Sequence, residues 1–284
     1  MTGVQTCALP ISFHMPAFFA LSGTLFYGQM KSGRFSSAIE VAKNKAARLI
    51  VPFVLVYLFW NTPVKMLSGY YRQSTNICKD ILMQMLIPTN MYLWYLEALF
   101  VDFLLAYILF VYVKNIWSIN VVAFAFYLAA QFLGKVTVAT ELFGNPLRYL
   151  LWFTFGMSLN KIGDMFKNKF RGVLLLMVLW IFGYFGLEYL PHLIWLAKDL
   201  YLASVGILIV WGACELVSER LTDKGKQLIS KFSGYSFGVY LYAEPLNYLF
   251  VVLFVKYFGL SFLGNECGAC FLWLLRSEER RVGK

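Results

Sequence analysis

The chain has 284 residues, of which 60% are hydrophobic and only 14% are charged. Soluble domains carry about 25% charged residues, so the composition excludes an ordinary soluble protein and indicates an integral membrane protein. The net charge of +10 does not indicate nucleic-acid binding, because no basic groove or base-stacking module accompanies it and positive loops are typical of a cytoplasmic membrane face.

The apolar residues fall into nine segments, most of them close to the ~20 residues that cross a ~30 Å hydrocarbon core. Open sheets cannot satisfy their backbone in lipid, so we predict an all-α, polytopic helical bundle with about nine transmembrane helices. The predicted segments are Phe13–Met30, Leu49–Met66, Tyr92–Val113, Ile116–Gly134, Leu147–Asn160, Gly172–Leu190, Leu200–Val217, Ser236–Phe258 and Gly259–Leu275.

The two ends of the chain differ in character from the rest. Residues 1–12 have neither the basic start nor the small-residue cleavage site of a signal peptide, and residues 276–284 form a short polar run. Both resemble translated adapter sequence, although ordinary polar termini would look similar. We therefore predict one transmembrane domain over residues 13–275, with a non-native-looking leader before it and a non-native-looking tail after it.

The distribution of Lys and Arg predicts the orientation of the bundle. The connectors that follow odd-numbered segments hold about twice as many basic residues as those that follow even-numbered segments. This bias places Ser32–Arg48 in the cytoplasm, Leu67–Asn90 outside, and the start of the first segment outside. An outside start needs a preceding export signal or a preceding helix, and we expect that a helix is missing before Phe13.

The first segment carries a candidate catalytic group. His14 stands at its outer mouth, two positions before Pro16. A histidine titrates near neutral pH, so it can act as a general base or acid. The alternative is an interfacial histidine that bonds to a lipid headgroup or to backbone.

The connector before the second segment ends in a basic cluster. Lys45 and Arg48 are three residues apart, so on a regular helix they would share a face. Two cations at a membrane boundary can hold a pyrophosphate or a phospholipid headgroup. The positive-inside bias explains the charge there without any ligand.

Polar and aromatic residues inside later segments are further candidates. Trp94 and Tyr95 open the third segment and could stack on a sugar ring, or simply belong to the aromatic belt of the membrane interface. Glu97 and Asp102 follow in the same segment, and Glu244 lies in a late one. Charged groups inside membrane segments are expensive and mark functional sites, but each of these could instead make a polar contact between helices.

The five cysteines include Cys267 and Cys270 in C-x-x-C spacing. No second pair and no neighbouring histidine completes a zinc site, so we expect no metal and treat them as small helix residues.

Four motifs together resemble the membrane-bound acyltransferase family 3, bacterial proteins that O-acylate sugars and glycans. They are F-H-M-P-A-F-F-A-L-S-G-T-L-F at Phe13–Phe26, K-A-A-R-L-I-V-P-F at Lys45–Phe53, L-W-Y-L-E-A-L-F at Leu93–Phe100 and S-F-G-V-Y-L-Y at Ser236–Tyr242. The resemblance spans roughly residues 13–275. It implies ten membrane helices, the first of which carries the principal histidine, so we expect the chain as given to lack turnover.

The resemblance also implies a reaction. An acyl group, most simply acetyl, would pass from acetyl-CoA in the cytoplasm to a sugar or glycan hydroxyl at the outer face of a bacterial inner membrane, with no bound cofactor. Lys45 and Arg48 would lie near the CoA phosphates, and His14 near the acceptor. The implied partners are the lipid bilayer, acyl-CoA and the glycan.

Two other interpretations remain open. In a transporter or flippase for a glycan or lipid precursor, Glu97, Asp102 and Glu244 would line the path of the substrate. The third interpretation is an inactive fragment of the acyltransferase.

Overall fold

The computed structural model describes residues 11–67, 76–86, 93–132, 138–163, 169–186 and 195–258. These residues form nine helices and no strand. The helices are α1 (Ile11–Lys31), α2 (Ala38–Leu67), α3 (Ile77–Leu86), α4 (Trp94–Val113), α5 (Ile116–Phe132), α6 (Val138–Gly163), α7 (Lys169–Gly186), α8 (Trp195–Arg220) and α9 (Asp223–Phe258).

The predicted all-α membrane fold is confirmed, and eight of the nine predicted segments coincide with described helices. The ninth, Gly259–Leu275, lies outside the described residues. By length and composition, three described helices are long and apolar enough to cross a membrane: α2, α4 and the part of α8 from Ala197 to Arg220. The short predicted segment Leu147–Asn160 belongs to a 26-residue helix, α6, which continues upstream through Pro146.

Helix α2 begins well before the predicted segment, because its first turn is capped. The Ser37 hydroxyl accepts the Glu40 backbone N–H at 3.2 Å, and the Glu40 carboxylate accepts the Ser36 N–H at 2.8 Å. This reciprocal pair satisfies backbone groups that a helix start leaves without partners. Gly33, at φ +70°, makes the preceding turn, where few residues other than glycine are relaxed.

Helix α3 was not predicted, since the sequence indicated only a polar connector between positions 67 and 90. Asn76 caps the helix by accepting the Lys79 N–H at 3.2 Å. The Tyr57 hydroxyl of α2 donates to the Ile81 carbonyl oxygen at 3.1 Å and lies 3.3 Å from the Gln84 amide oxygen. A ten-residue helix is too short to span lipid but long enough to pack along α2.

The chain divides into two compact units. The first draws its described residues from Met1–Val41, Val101–Val136 and Gly144–Gln227, and the second from Ala42–Phe100, Thr137–Phe143 and Leu228–Lys284. The second unit therefore contains most of α2, the helix α3, the first turns of α4 and most of α9.

Within the first unit, α1 and α6 touch backbone to backbone. A Cβ atom on Gly23 would overlap the carbonyl oxygen of Phe153, and one on Gly156 would overlap that of Ala20. The Thr24 hydroxyl beside them lies 2.7 Å from the Gly156 carbonyl oxygen, to which it donates. Small residues at such crossings let membrane helices approach closely and gain van der Waals contact.

Aromatic rings fill the space next to this crossing. The Phe26 ring lies 5.1 Å from Phe103 of α4 and 5.9 Å from Phe153 of α6, and the Phe103 and Phe153 rings are 5.0 Å apart. Tilted and edge-on pairs at these distances are the favourable aromatic geometries. Three helices of the first unit thus share one aromatic core.

Helices α7 and α8 pack through reciprocal side-chain bonds. The Trp180 indole N–H donates to the Leu202 carbonyl oxygen at 3.0 Å, and the Tyr201 hydroxyl donates to the Leu179 carbonyl oxygen at 2.8 Å. Gly183 leaves the room that the Tyr201 ring occupies. Helix α1 packs against α8, so α1, α7 and α8 belong to one bundle within the first unit.

The predicted orientation can be tested with a native cysteine. Cys78, at the start of α3, is exposed and free. In spheroplasts that express a variant whose other cysteines are serine, we expect a membrane-impermeant maleimide to label Cys78, because the positive-inside bias places this connector outside. Ser32→Cys in a Cys78→Ser background should react only after permeabilisation. Labelling of both positions from the same side would contradict the orientation.

The α1–α6 crossing predicts that replacing two glycines of α1 by alanine affects stability very differently. Gly23→Ala should destabilise the fold by about 1–3 kcal/mol or more, because the added methyl group overpacks a backbone contact. Gly28 has nothing within 4 Å of the place that a Cβ would occupy, so Gly28→Ala is the matched control. Thermal unfolding of purified protein, followed by tryptophan fluorescence, measures the difference. Equal melting temperatures for the two variants would show that the crossing does not form.

Candidate functional site

The candidate site lies in the second unit and is organised by α2. This helix contains two π-helical segments, Ala46–Ile50 and Tyr57–Asn61. A π-helical turn closes i→i+5 hydrogen bonds and inserts one extra residue into the turn, which rotates everything beyond it. Such segments are frequent at functional sites, and here each one adjoins a buried polar residue.

The two basic residues near the start of α2 differ in exposure. Lys45 is only 6% exposed, whereas Arg48 is exposed. The first π-helical segment starts directly after Lys45 and changes the angular spacing that a regular helix would give the two residues, so their shared face stays a prediction. The Arg48 guanidinium is open to a ligand from outside the bundle, and the Lys45 ammonium is held within it.

A polar face lies further along α2. Tyr57, Asn61 and Lys65 recur every fourth residue and are all buried, Asn61 completely and Lys65 to 3% exposure. The Tyr57 hydroxyl bonds to α3 as described above. Neither the Nδ2 nor the Oδ1 atom of Asn61 has a hydrogen-bond partner within the described part of the chain. We call Tyr57, Asn61 and Lys65 the polar face of α2.

Aromatic side chains from three elements lie in the same unit. The Trp94 and Tyr95 rings are 6.5 Å apart at the start of α4, and Tyr95 lies edge-on to Tyr240 of α9 at 5.9 Å. Trp60 of α2 lies edge-on to Tyr242 at 5.8 Å, and its indole N–H donates to the Tyr242 carbonyl oxygen at 3.4 Å. The structure therefore brings the L-W-Y-L motif and the S-F-G-V-Y-L-Y motif into contact.

Two predicted acidic residues belong to the second unit. Glu97 is half-buried in the first turn of α4, three residues after Trp94 and two after Tyr95. Glu244 falls within α9, but its side chain lies outside the described part.

The remaining candidates belong to the first unit. His14 is half-buried, and its ring lies edge-on to Phe18 at 6.4 Å. Asp102, in the middle of α4, is completely buried, and neither carboxylate oxygen has a hydrogen-bond partner among the described residues. A carboxyl group in apolar surroundings without a partner is costly, which marks Asp102 as more than a packing residue.

Sequence reasoning named neither Asn61 nor Lys65 as a candidate, although both fall within the predicted segment Leu49–Met66. The signal was present, because Asn and Lys four residues apart in an apolar segment place two polar groups on one helix face. For metals, the described side chains offer no group of three His, Cys, Asp or Glu that could hold an ion.

The arrangement in the second unit has the chemistry of a substrate site. It combines an exposed guanidinium near one end of α2, a buried amide and ammonium near the other, and aromatic rings beside them. A guanidinium suits phosphate, and amides with aromatic faces suit a hydroxyl-rich ring.

Comparison with known proteins identifies the kind of chain that carries this site. A family model described as an acyltransferase domain matches residues 5–275. The chain has no significant match among curated proteins or among solved structures.

Proposed function

The chain belongs to the acyltransferase 3 family, and on this premise we propose that it moves an acetyl group from cytoplasmic acetyl-CoA to a hydroxyl group of a sugar or glycan. The family match confirms the resemblance seen in the four motifs, and with it an acyltransferase built as an integral membrane protein. The donor, the acceptor, the direction of transfer and a multi-pass location in a bacterial inner membrane are proposals.

The observation that carries the proposal is the division of polar groups along α2. Arg48 is exposed, and it lies near the end of α2 that the positive-inside bias predicts to be cytoplasmic. An exposed guanidinium can bind the CoA phosphates in two parallel hydrogen bonds. The buried Lys45 ammonium adds positive charge at the same end.

The acceptor hydroxyl would attack the carbonyl carbon of the thioester, and the C–S bond would break to release CoA thiol. A base must take the hydroxyl proton, and the thiolate that leaves must gain one. By the resemblance alone, His14 would support the acceptor or the acyl path and would not be the principal base. Trp94 and Tyr95 would stack against the sugar ring, and Glu97 and Glu244 would bond to its hydroxyl groups.

One observation favours the transporter alternative. Asp102 is buried at the middle of an apolar helix without a partner in the described structure, as an ion or substrate relay would require. Transport needs no covalent change in its substrate, so the two functions separate cleanly by experiment.

The direct test supplies the protein, in sealed vesicles, with acetyl-CoA labelled in the acetyl group on the cytoplasmic side and with oligosaccharides from bacterial envelopes on the other. Covalent attachment of label to the oligosaccharides would support the proposal, and it would contradict the expectation from the resemblance that the chain as given lacks turnover. Movement of unmodified oligosaccharide across the membrane would support the transporter instead. Binding of acetyl-CoA without any transfer would correspond to an inactive fragment, and either result would overturn the proposal.

The proposed donor site predicts that replacing one arginine weakens acetyl-CoA binding without affecting folding. Arg48→Ala should weaken the binding of labelled acetyl-CoA about tenfold, because a charge-assisted phosphate contact is lost from an exposed position. The folding of the protein should change little, since surface substitutions have small effects. Lys43→Ala removes an equal charge from an exposed position on the same helix and is the matched control. If both variants bind acetyl-CoA alike, the donor does not contact Arg48.

A further inference from the structure

We infer that Asn61 binds the acceptor, its side-chain amide exchanging hydrogen bonds with the hydroxyl groups of the sugar that receives the acyl group. This inference rests on the proposed function and adds to it a specificity-determining residue on the polar face of α2. It starts from a buried amide that lacks hydrogen-bond partners within the described structure.

Burying this amide without a hydrogen-bond partner costs folding free energy, which argues that the amide is kept to bind a ligand. Asn61 has no exposed surface, so bulk water does not reach its two N–H donors and its carbonyl acceptor. A buried polar group without a partner is destabilising, and an apolar side chain of similar size would be more favourable at the same position. A ligand that brings hydroxyl groups would supply both the donors and the acceptors that the amide requires.

The π-helical segment explains why the helix itself cannot satisfy Asn61. In regular helix α5, the Asn120 amide donates to the carbonyl oxygen four residues earlier, that of Ile116, at 3.1 Å. The corresponding carbonyl for Asn61 is that of Tyr57, which already accepts the Thr62 backbone N–H and, at 2.9 Å, the Thr62 hydroxyl. The widened turn thus occupies the usual acceptor and leaves the Asn61 amide free to bind something else.

Besides Asn61, the second unit holds a buried ammonium group and aromatic rings, which together suit a sugar better than a lipid tail. Lys65 follows one turn later on the same buried face and can bond to hydroxyl or carboxylate oxygens. Trp60 is adjacent in sequence and packs on Tyr242, and the Tyr95–Tyr240 pair lies in the same unit. Amide and ammonium groups give directional bonds, and aromatic faces cover the C–H surfaces of a ring.

Distance along the helix assigns Asn61 to the acceptor and not to CoA phosphates. Positions 45 and 61 are separated by about 24 Å of helix at 1.5 Å per residue. Phosphates held at Lys45 and Arg48 therefore cannot reach the Asn61 amide.

The test compares Asn61→Leu with Asn120→Leu in protein reconstituted into nanodiscs. The probe is a pool of tritium-labelled oligosaccharides released from bacterial envelopes and stripped of O-acetyl groups with mild alkali. We expect Asn61→Leu to weaken binding of the pool at least tenfold and to leave acetyl-CoA binding within twofold of the unaltered chain. Because an unpartnered amide becomes an apolar group of similar size, the melting temperature should stay the same or rise.

Each outcome decides a separate question. Equal oligosaccharide binding by Asn61→Leu and the unaltered chain would overturn the role of Asn61 and leave the proposed function standing. A lower melting temperature, or loss of both ligands together, would show that Asn61 is a structural residue and would also overturn the inference. If the unaltered chain binds acetyl-CoA but none of the oligosaccharides, the proposed acceptor class fails, and with it this inference. Asn120→Leu should bind both ligands as the unaltered chain does.

Discussion

Direct backbone contact between α1 and α6 is the constraint on which the first unit depends. Lipid tails are as apolar as the side chains they surround, so helices in a membrane gain little from hydrophobic burial against each other. What remains is van der Waals contact and interhelical hydrogen bonding, and Gly23, Gly156 and Thr24 supply both at one crossing. The aromatic core of Phe26, Phe103 and Phe153 can form at its short ring distances because the two backbones approach so closely.

Lipid also offers no hydrogen-bond partners, so a buried polar side chain needs a partner within the protein. Thr154, Ser158 and Ser204 each donate to a carbonyl oxygen of their own helix, three or four residues earlier, and so carry no unpaired group into the core. Asn61 and Asp102 do not follow this rule. Among the described residues with buried polar atoms that lack partners, Asn61 and Asp102 are the two whose amide or carboxylate has both of its polar atoms without a partner.

Much of the fold could be predicted from the sequence, since lipid imposes a simple requirement for long apolar helices. Eight segments match described helices, and the motifs around Trp94 and Tyr240 meet in one unit. Helix α3 was not predicted, because its ten residues mix polar and apolar positions within a connector. The one sequence signal of its start is the cap at Asn76. Apolar runs predict spans well, but they say little about short helices that lie beside them.

The site was less predictable because α2 is not a regular helix. Spacing arguments assume a constant rotation per residue, which holds for Asn120 in α5 but fails for Lys45 and Arg48 across the first π-helical segment. The second segment changes the bonding as well as the rotation, since the Tyr57 carbonyl is taken by Thr62 and the Asn61 amide loses its usual partner. A helix that widens twice can therefore present a cation to the surface near one end and an unsatisfied amide to the interior near the other.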